Sequence, residues 1–233
     1  MNDRALEPKV YIRSKPFPRT RGKSGSLPDS AVGDTVSVDV TSGQKRASVN
    51  RISFSPMHIG APYVSPTGEK FSCYEHYWQS LKVYEGADHA EALQWWKRQT
   101  NPKRRLPRWA TKGREVLHAV DEKRYPGREF GYVESRKEFY LKDYRHKIRN
   151  CPMAKLAIQN IRIKLQTANI VITDYDGPRD VHGEPSCEEV TIELLRQKLH
   201  DVSNPFGHGY AVAAELLDIP DGAFTSPPLV VVA

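Results

Sequence analysis

The sequence predicts a mainly helical (α+β) domain with a few short strands. Six stretches have helical periodicity or a helix-start signal: residues 72–84, 88–99, 134–144, 152–167, 186–199 and 210–217. Strand-like runs are shorter and fewer, at residues 36–40, 51–54 and 169–173. A chain of 233 residues is long enough to bury one substantial core.

Composition indicates which partner and which compartment to expect for the protein. The formal net charge is +7 and the isoelectric point is about 9.2, which favours a polyanionic or phosphorylated partner. Three widely spaced cysteines lack a C-x-x-C pattern and indicate a reducing compartment rather than a zinc site. The sequence has neither a secretory signal nor an apolar run of membrane-spanning length, so we expect a cytoplasmic protein with no membrane partner.

The chain divides into three parts by composition. Residues 1–50 carry nine Lys or Arg against five Asp or Glu and contain several prolines, which predicts a basic, flexible N-terminal arm. Residues 51–218 hold most of the periodic segments and form the expected folded domain. Residues 219–233 are expected to be a loose C-terminal tail.

The first helix carries the densest set of functional groups. Ser72 followed by Glu75 is a capping-box pattern, which predicts that a helix begins there. On such a helix Glu75, Gln79 and Lys82 share one polar stripe beside Trp78. The plainer interpretation is that Glu75 only caps the helix and that Lys82 is a solvated surface lysine.

A basic stretch follows. Residues 97–114 contain eight Lys or Arg and no acid, with Trp95, Trp96 and Trp109 beside or among them. Cations and indoles together suit a ligand that carries both phosphate and a base. A solvated basic face with core tryptophans explains the pattern equally well.

Two later segments carry further candidates. Asp174, Asp176, Gly177 and Arg179 follow the predicted strand 169–173, although D-G-P is also a common turn. Glycines on both sides of His208 permit close approach of the backbone to a ligand. A lone histidine between turns is nevertheless more often structural.

Several of these stretches line up in order with a known family. Glu75-His-Tyr-Trp78-Gln79 followed by Lys82 resembles the E-H-x-x-Q…K signature of the NADAR superfamily, the YbiA-like proteins. Three further segments resemble the family's A-K-x-x-G-R, R-x-x-V-M and K-F-x-x-N-P elements: residues 110–114, 136–140 and 147–152. The resemblance spans residues 52–217. Two family elements, a Ser-Asn-Phe before the first helix and a Trp-Gly near the C-terminus, are not visible.

The resemblance implies a YbiA-like helical catalytic domain that hydrolyses N-glycosidic bonds with no metal and no cofactor. It implies that Glu75 acts at ribose C1′, that Lys82 is a nucleophile and that Arg114 holds phosphate. With it, Asp176 is expected to act in catalysis or, like Asp174, to order the ribose hydroxyls. Six further residues are expected to bind the substrate: Trp78, Gln79, Trp109, Gly177, Arg179 and His208. The two tryptophans could stack on the base.

Two substrate classes are compatible with the resemblance. One is ADP-ribosylated guanine in nucleic acid, which the basic arm and residues 97–114 would contact. The other is a phosphoribosylated intermediate of the riboflavin pathway. The competing class of function is a non-catalytic module that binds ADP-ribose or another nucleotide.

Overall fold

The structure is a computed structural model that describes residues 8–16, 22–42, 47–107 and 112–227. It divides into two compact units. The first is discontinuous and belongs to residues 1–55 and 148–233, whereas the second is the continuous stretch of residues 56–147.

The discontinuous unit is built around a four-stranded sheet. Its strands are β1 (Val10–Ser14), β2 (Thr35–Asp39), β8 (Asn169–Asp174) and β9 (Cys187–Glu189). They lie in the order β2-β8-β1-β9, with β8 parallel to both β1 and β2 and with β9 antiparallel to β1. The β-branched run of β8 is buried throughout, as expected of a central strand in a parallel sheet.

Five short or medium helices belong entirely to this unit: α1 (Val49–Ser53), α6 (Pro152–Leu165), α7 (Ile192–His200), α8 (His208–Leu216) and α9 (Gly222–Thr225). Helix α8 packs on β1 and β8, and α6 packs on β8. Helix α6 buries Ala154, Ile158 and Ile161 at helical spacing, which seals one part of the core.

The continuous unit contains two small antiparallel sheets. One is the hairpin of β3 (Tyr63–Val64) and β4 (Lys70–Phe71), and the other has the order β5 (Lys82–Tyr84), β6 (Val116–Val120), β7 (Glu129–Phe130). Helices α2 (Tyr74–Ser80), α3 (His89–Lys97) and α4 (Tyr132–Ser135) accompany them. A π-helical segment, Arg136–Leu141, then leads into α5 (Lys142–Asn150). Packed aromatic rings, among them Tyr74, Tyr77 and Phe139, form the core.

The expectation of a mainly helical domain is wrong. The described residues form three sheets as well as helices, so the fold is mixed α and β. Strand β1 was missed because it lies in residues expected to be a flexible arm: it has five residues and pairs with β8, which follows far along the chain. Such pairing is tertiary, and a strand of five residues gives little local periodicity.

The predicted arm and tail therefore need correction within the described residues. β1 is inserted between β8 and β9 with Tyr11 and Ile12 fully buried, so this part of residues 1–50 is core. After residue 219, α9 packs on α7 and buries Phe224 completely.

Two local expectations are also wrong. The predicted strand at 51–54 is the end of helix α1, which is capped by the Ser48 hydroxyl. The capping-box pattern at Ser186 opens strand β9, and the next helix begins after Thr191, whose hydroxyl accepts from the Leu194 amide at 3.1 Å. By contrast, α3, α6, α8, β2 and β8 confirm the elements predicted at their positions.

Among the helices of the described residues, none has the length and apolar character needed to cross a membrane.

Candidate functional site

Helix α2 begins differently from the sequence prediction. Its N-cap is Cys73, which makes no side-chain capping bond, and the Ser72 hydroxyl instead donates to the Gln99 carbonyl. The Glu75 amide donates to the Pro56 carbonyl at 2.8 Å. The capping box is therefore absent, and the Glu75 carboxylate does not serve as a cap.

The carboxylate of Glu75 is held by its neighbour one turn along the helix. Gln79 Nε2 donates to Glu75 Oε1 at 2.8 Å, as an i, i+4 pair permits. Both side chains are half-buried. This hydrogen bond fixes the orientation of the Glu75 carboxylate.

Lys82 does not lie on this helix. α2 ends at Ser80, and the Leu81 carbonyl accepts from the Val120 amide at 2.8 Å, which turns the chain into the β5–β6–β7 sheet. Lys82 is the first residue of β5 and faces Ala119 across the pair. Its Nζ lies 5.1 Å from the centroid of the Trp78 ring, so the lysine and the indole form a cation–π contact.

Lys82 and Trp78 line a cavity of about 140 Å³ within the continuous unit. Strand β6 supplies one wall, and Phe130, Tyr132 and Ser135 supply another. Ligand pockets for whole drug-sized molecules are about 300–1,000 Å³, so this cavity has room for a single sugar or a single ring. The walls are largely aromatic and aliphatic, with Lys82 as the charged group among the lining residues.

The surroundings lower the pKa of Lys82. Burial of the amine is the largest cause, and the positive charge of Arg136 acts in the same direction, whereas the negative charge of Glu75 opposes both. A lysine with a lowered pKa carries a larger fraction of neutral amine near pH 7. Neutral amine is the nucleophilic form.

The basic stretch is only partly placed. The Arg114 guanidinium donates to the Gly86 carbonyl at 2.6 Å, near the end of β5. Lys97 forms an ion pair with Glu69, whereas Lys103 and Arg105 are exposed. Trp109 and its neighbours 108–111 lie outside the described residues.

The C-terminal candidates belong to the discontinuous unit, where contacts of Asp174 and His208 connect strand β8 to helix α8. Asp174 is almost fully buried and accepts from the Gly209 amide at 2.9 Å and from the Tyr175 amide at 2.8 Å. His208 lies 3.3 Å from the same carboxylate, and its Nε2 lies 2.5 Å from the Val40 carbonyl. These contacts fasten the start of α8 to the end of β8, which gives both residues a structural role.

The turn after β8 is equally constrained. A Cβ atom added at Gly177 would lie 2.8 Å from the Ser14 backbone nitrogen, so the glycine permits two segments of backbone to touch. Arg179 donates to the Gly183 carbonyl at 3.1 Å and ties its own loop. Asp176 lies in the same half-buried turn. The expected site residues thus divide between the two units.

Sequence reasoning missed the second aromatic wall of the cavity. Tyr132 and Arg136 stand four residues apart, and the Arg136 guanidinium carbon lies 3.9 Å from the centroid of the Tyr132 ring. A Tyr-Arg pair at i, i+4 was visible in the sequence and could have indicated this contact. Arg136 also begins the π-helical segment, and such segments are frequent at functional sites.

In the described part of the chain, no group of three or more His, Cys, Asp or Glu side chains is placed to hold a metal ion.

Comparison with known proteins gives a family. No curated protein matches the chain, and no solved structure does. A family model described as "Family of unknown function (DUF6939)" matches residues 21–187, which is more than half of the chain and includes the whole cavity. The chain therefore belongs to the Family of unknown function (DUF6939).

Proposed function

We propose that the protein is a hydrolase that cleaves the N-glycosidic bond between ribose C1′ and a base, with ADP-ribosylated guanine in nucleic acid as its substrate. The observation that carries the proposal is the placement of Lys82 over the Trp78 ring in a small cavity, with the Glu75 charge acting on the amine. The stretch from Glu75 to Gln79, followed by Lys82, resembles the NADAR signature. That resemblance supports the same chemistry.

In this proposal Glu75 works at the sugar. Cleavage of the C1′–N bond builds positive charge on C1′, and a carboxylate stabilises that charge or takes a proton from an attacking water. The bond from Gln79 keeps the carboxylate oriented toward one position. Glu75 also keeps Lys82 from losing all of its basicity, since its charge raises the pKa that burial lowers.

Lys82 works as the nucleophile. As the C1′–N bond breaks, its electron pair stays on the departing nitrogen, which takes up a proton. The neutral amine bonds to C1′ and releases a proton; the C1′–O4′ bond then breaks, O4′ takes up a proton, and the nitrogen lone pair forms the C1′=N iminium. Water adds to C1′, and the amine leaves with a proton as the C1′ aldehyde forms. Attack of the O4′ hydroxyl on that aldehyde closes the ribose of the ADP-ribose product and leaves the lysine restored.

The cavity admits the ribose ring, and the rest of the substrate stays outside it. Arg114 and the exposed cations at residues 103–105 are the groups that we assign to the phosphates, because guanidinium matches phosphate geometry. The same cations would contact a nucleic-acid backbone. We assign this activity to the cytoplasm.

Two alternatives start from the same residues. A phosphoribosylated riboflavin-pathway intermediate would use the same C1′ chemistry with a smaller leaving group. A nucleotide-binding module would use the cations and aromatic rings alone. A half-buried lysine beside a carboxylate favours the enzyme, because binding alone does not require an amine of lowered pKa.

A cleavage assay read by mass spectrometry tests the proposal. It offers a guanine-ADP-ribosylated oligonucleotide, NAD, ADP-ribose and phosphoribosylaminopyrimidine to wild type, Glu75→Gln and Lys82→Ala. We expect release of ADP-ribose from the oligonucleotide by wild type, and a loss of about 10²–10⁴-fold in each variant. Glu85→Gln is the matched control, since Glu85 is exposed in the same unit and should leave the rate unchanged.

Borohydride added during turnover should reduce the iminium and leave a substrate-derived mass on the peptide that contains Lys82. Cleavage without such a mass would restrict the mechanism to Glu75. No cleavage of any compound, together with measurable binding of ADP-ribose, would replace the hydrolase by the nucleotide-binding module.

A further inference from the structure

The mouth of the Lys82 cavity has an unusual surface. Three of its lining residues are large hydrophobic side chains that stay in contact with solvent: Val116, Leu117 and Tyr132, with 48%, 57% and 49% of their surface exposed. Exposed apolar side chains grouped at the rim of a cavity form a surface that a ligand in the cavity can cover. The feature is confined to a few residues and is too small for a protein interface, which needs about 800 Å² on each partner.

Contacts with Arg136 fix the orientation of the Tyr132 ring in this surface. The guanidinium of Arg136, itself 2% exposed, lies 3.9 Å from the centroid of the Tyr132 ring, and Nη2 donates to the tyrosine hydroxyl at 2.6 Å. An exposed tyrosine usually rotates freely. Here the ring is fixed in orientation before any ligand arrives, so less conformational entropy is lost on binding.

Cationic side chains lie beside the same surface. Arg114 is bonded at the end of β5, and Arg105 is close enough to Tyr84 to oppose the rise that burial causes in the pKa of that tyrosine. Tyr84 pairs with Val116 across β5 and β6. An exposed aromatic ring with apolar neighbours and nearby cations fits a nucleobase that carries a phosphorylated sugar.

We infer that Tyr132, together with Val116 and Leu117, forms a base-stacking subsite that takes the nucleobase of the ligand at the mouth of the cavity. The inference rests on the proposed function for the position of the ribose, which occupies the cavity and puts the base on its rim. Trp78 does not serve as the stacking platform, because it is buried and its ring faces the Lys82 amine. Tyr132 is therefore a specificity-determining residue rather than part of the chemical step.

Calorimetric binding of two probes tests the subsite without any need for turnover. Guanosine 5′-monophosphate and ribose 5-phosphate share the phosphorylated sugar and differ by the base. We expect wild type to bind the nucleotide more tightly. Tyr132→Ala should weaken nucleotide binding by about 5- to 150-fold, the range for loss of one base–aromatic stack, and should leave ribose 5-phosphate unchanged.

Three further variants make the result specific. Tyr132→Phe keeps the ring and should keep most of the affinity for the nucleotide. Leu117→Ser should weaken the nucleotide alone, by a smaller factor than Tyr132→Ala. Val181→Ser is the matched control, because Val181 is an exposed valine of the other unit and should change neither affinity. Circular dichroism checks that each variant is folded.

Equal nucleotide affinity in wild type and Tyr132→Ala would overturn the inference. Equal binding of the two probes by wild type would overturn it as well, and so would a nucleotide that wild type does not bind. These outcomes are separate from the cleavage assay. A subsite that depends on Tyr132 in a protein without N-glycosidase activity would leave the subsite standing and refute the hydrolase.

Discussion

At the scale of single residues, His76 shows how burial in the aromatic core of the continuous unit changes the pKa of a side chain. Its imidazole is fully buried, 5.3 Å from the centroid of the Trp96 ring, and Nε2 accepts from the Lys103 amide at 3.1 Å. Burial lowers the pKa of His76 from 6.5 to about 4. The folded protein therefore holds this histidine neutral at physiological pH.

Protonation of His76 should destabilise the protein in a defined pH window. The unfolded chain takes up a proton below pH 6.5, whereas the folded chain resists until about pH 4. Stability from this group is complete above pH 6.5 and is lost as the pH falls toward 4, by about 3 kcal/mol in all. His76→Gln keeps an acceptor for the Lys103 amide and removes the titration.

Urea unfolding of wild type and His76→Gln at several pH values measures the effect. Carboxylates titrate in both proteins, so the informative quantity is the difference between their free energies of unfolding. That difference should be constant above pH 6.5 and should shift in favour of the variant between pH 6.5 and 4. A difference that does not change with pH would contradict the assigned pKa.

Contacts within one helix of the first motif could be predicted from the sequence, whereas contacts that depend on strand pairing could not. The proximity of Glu75 and Gln79 follows from helical spacing and is confirmed by their hydrogen bond. Placement of Lys82 depends on β5 pairing with β6, more than thirty residues away. No local pattern reports that pairing, so the helix was extended too far.

At the scale of elements, the turn after β8 depends on contact between two stretches of backbone. Gly177→Ala would place a methyl group 2.8 Å from the Ser14 nitrogen of β1. Backbone cannot move aside as a flexible side chain can. We expect the free energy of unfolding to fall by about 1–3 kcal/mol, as overpacking of a tight contact does.

Gly222→Ala is the control for this substitution. Gly222 opens α9 in the same unit, and a Cβ atom there would meet no atom within 4 Å. Thermal unfolding followed by circular dichroism compares the two variants. Equal melting temperatures would show that the turn relaxes at no cost. They would also reopen the prediction from sequence that Gly177 contacts substrate.

At the scale of the whole molecule, the sheet of the discontinuous unit should fail without its first strand. β1 lies between β8 and β9, and Ile12 at its centre is fully buried. A chain that begins at residue 21, where the family match begins, lacks β1, so β8 and β9 lose a shared partner. We expect the cut chain to lack a cooperative thermal transition for this unit.

A point substitution tests the same idea at full length. Ile12→Asn puts an amide in the buried centre of β1 and should lower the free energy of unfolding by several kcal/mol. Val181→Asn changes a valine that is almost wholly exposed and should have little effect. Similar unfolding curves for both variants would show that β1 is dispensable.

The fold class could not be obtained from the sequence for the same reason. Helices α3 and α6 are local structures with their own start signals, the Asp88 cap and Pro152, and their own periodicity, and they were predicted correctly. β1 was missed because the prolines and charged residues on either side of it resemble a disordered arm. Its pairing with β8 and β9, which come much later in the chain, makes it a strand.

That arrangement sets the order in which the two units can fold during synthesis. β1 and β2 leave the ribosome first, yet the strand between them, β8, is made more than 125 residues after β2 ends. At about 5–20 residues per second, the two N-terminal strands wait for roughly six seconds or longer before they can pair. The continuous unit is synthesised during that interval, so the part that holds Lys82 is complete before the sheet that holds β1 and β2.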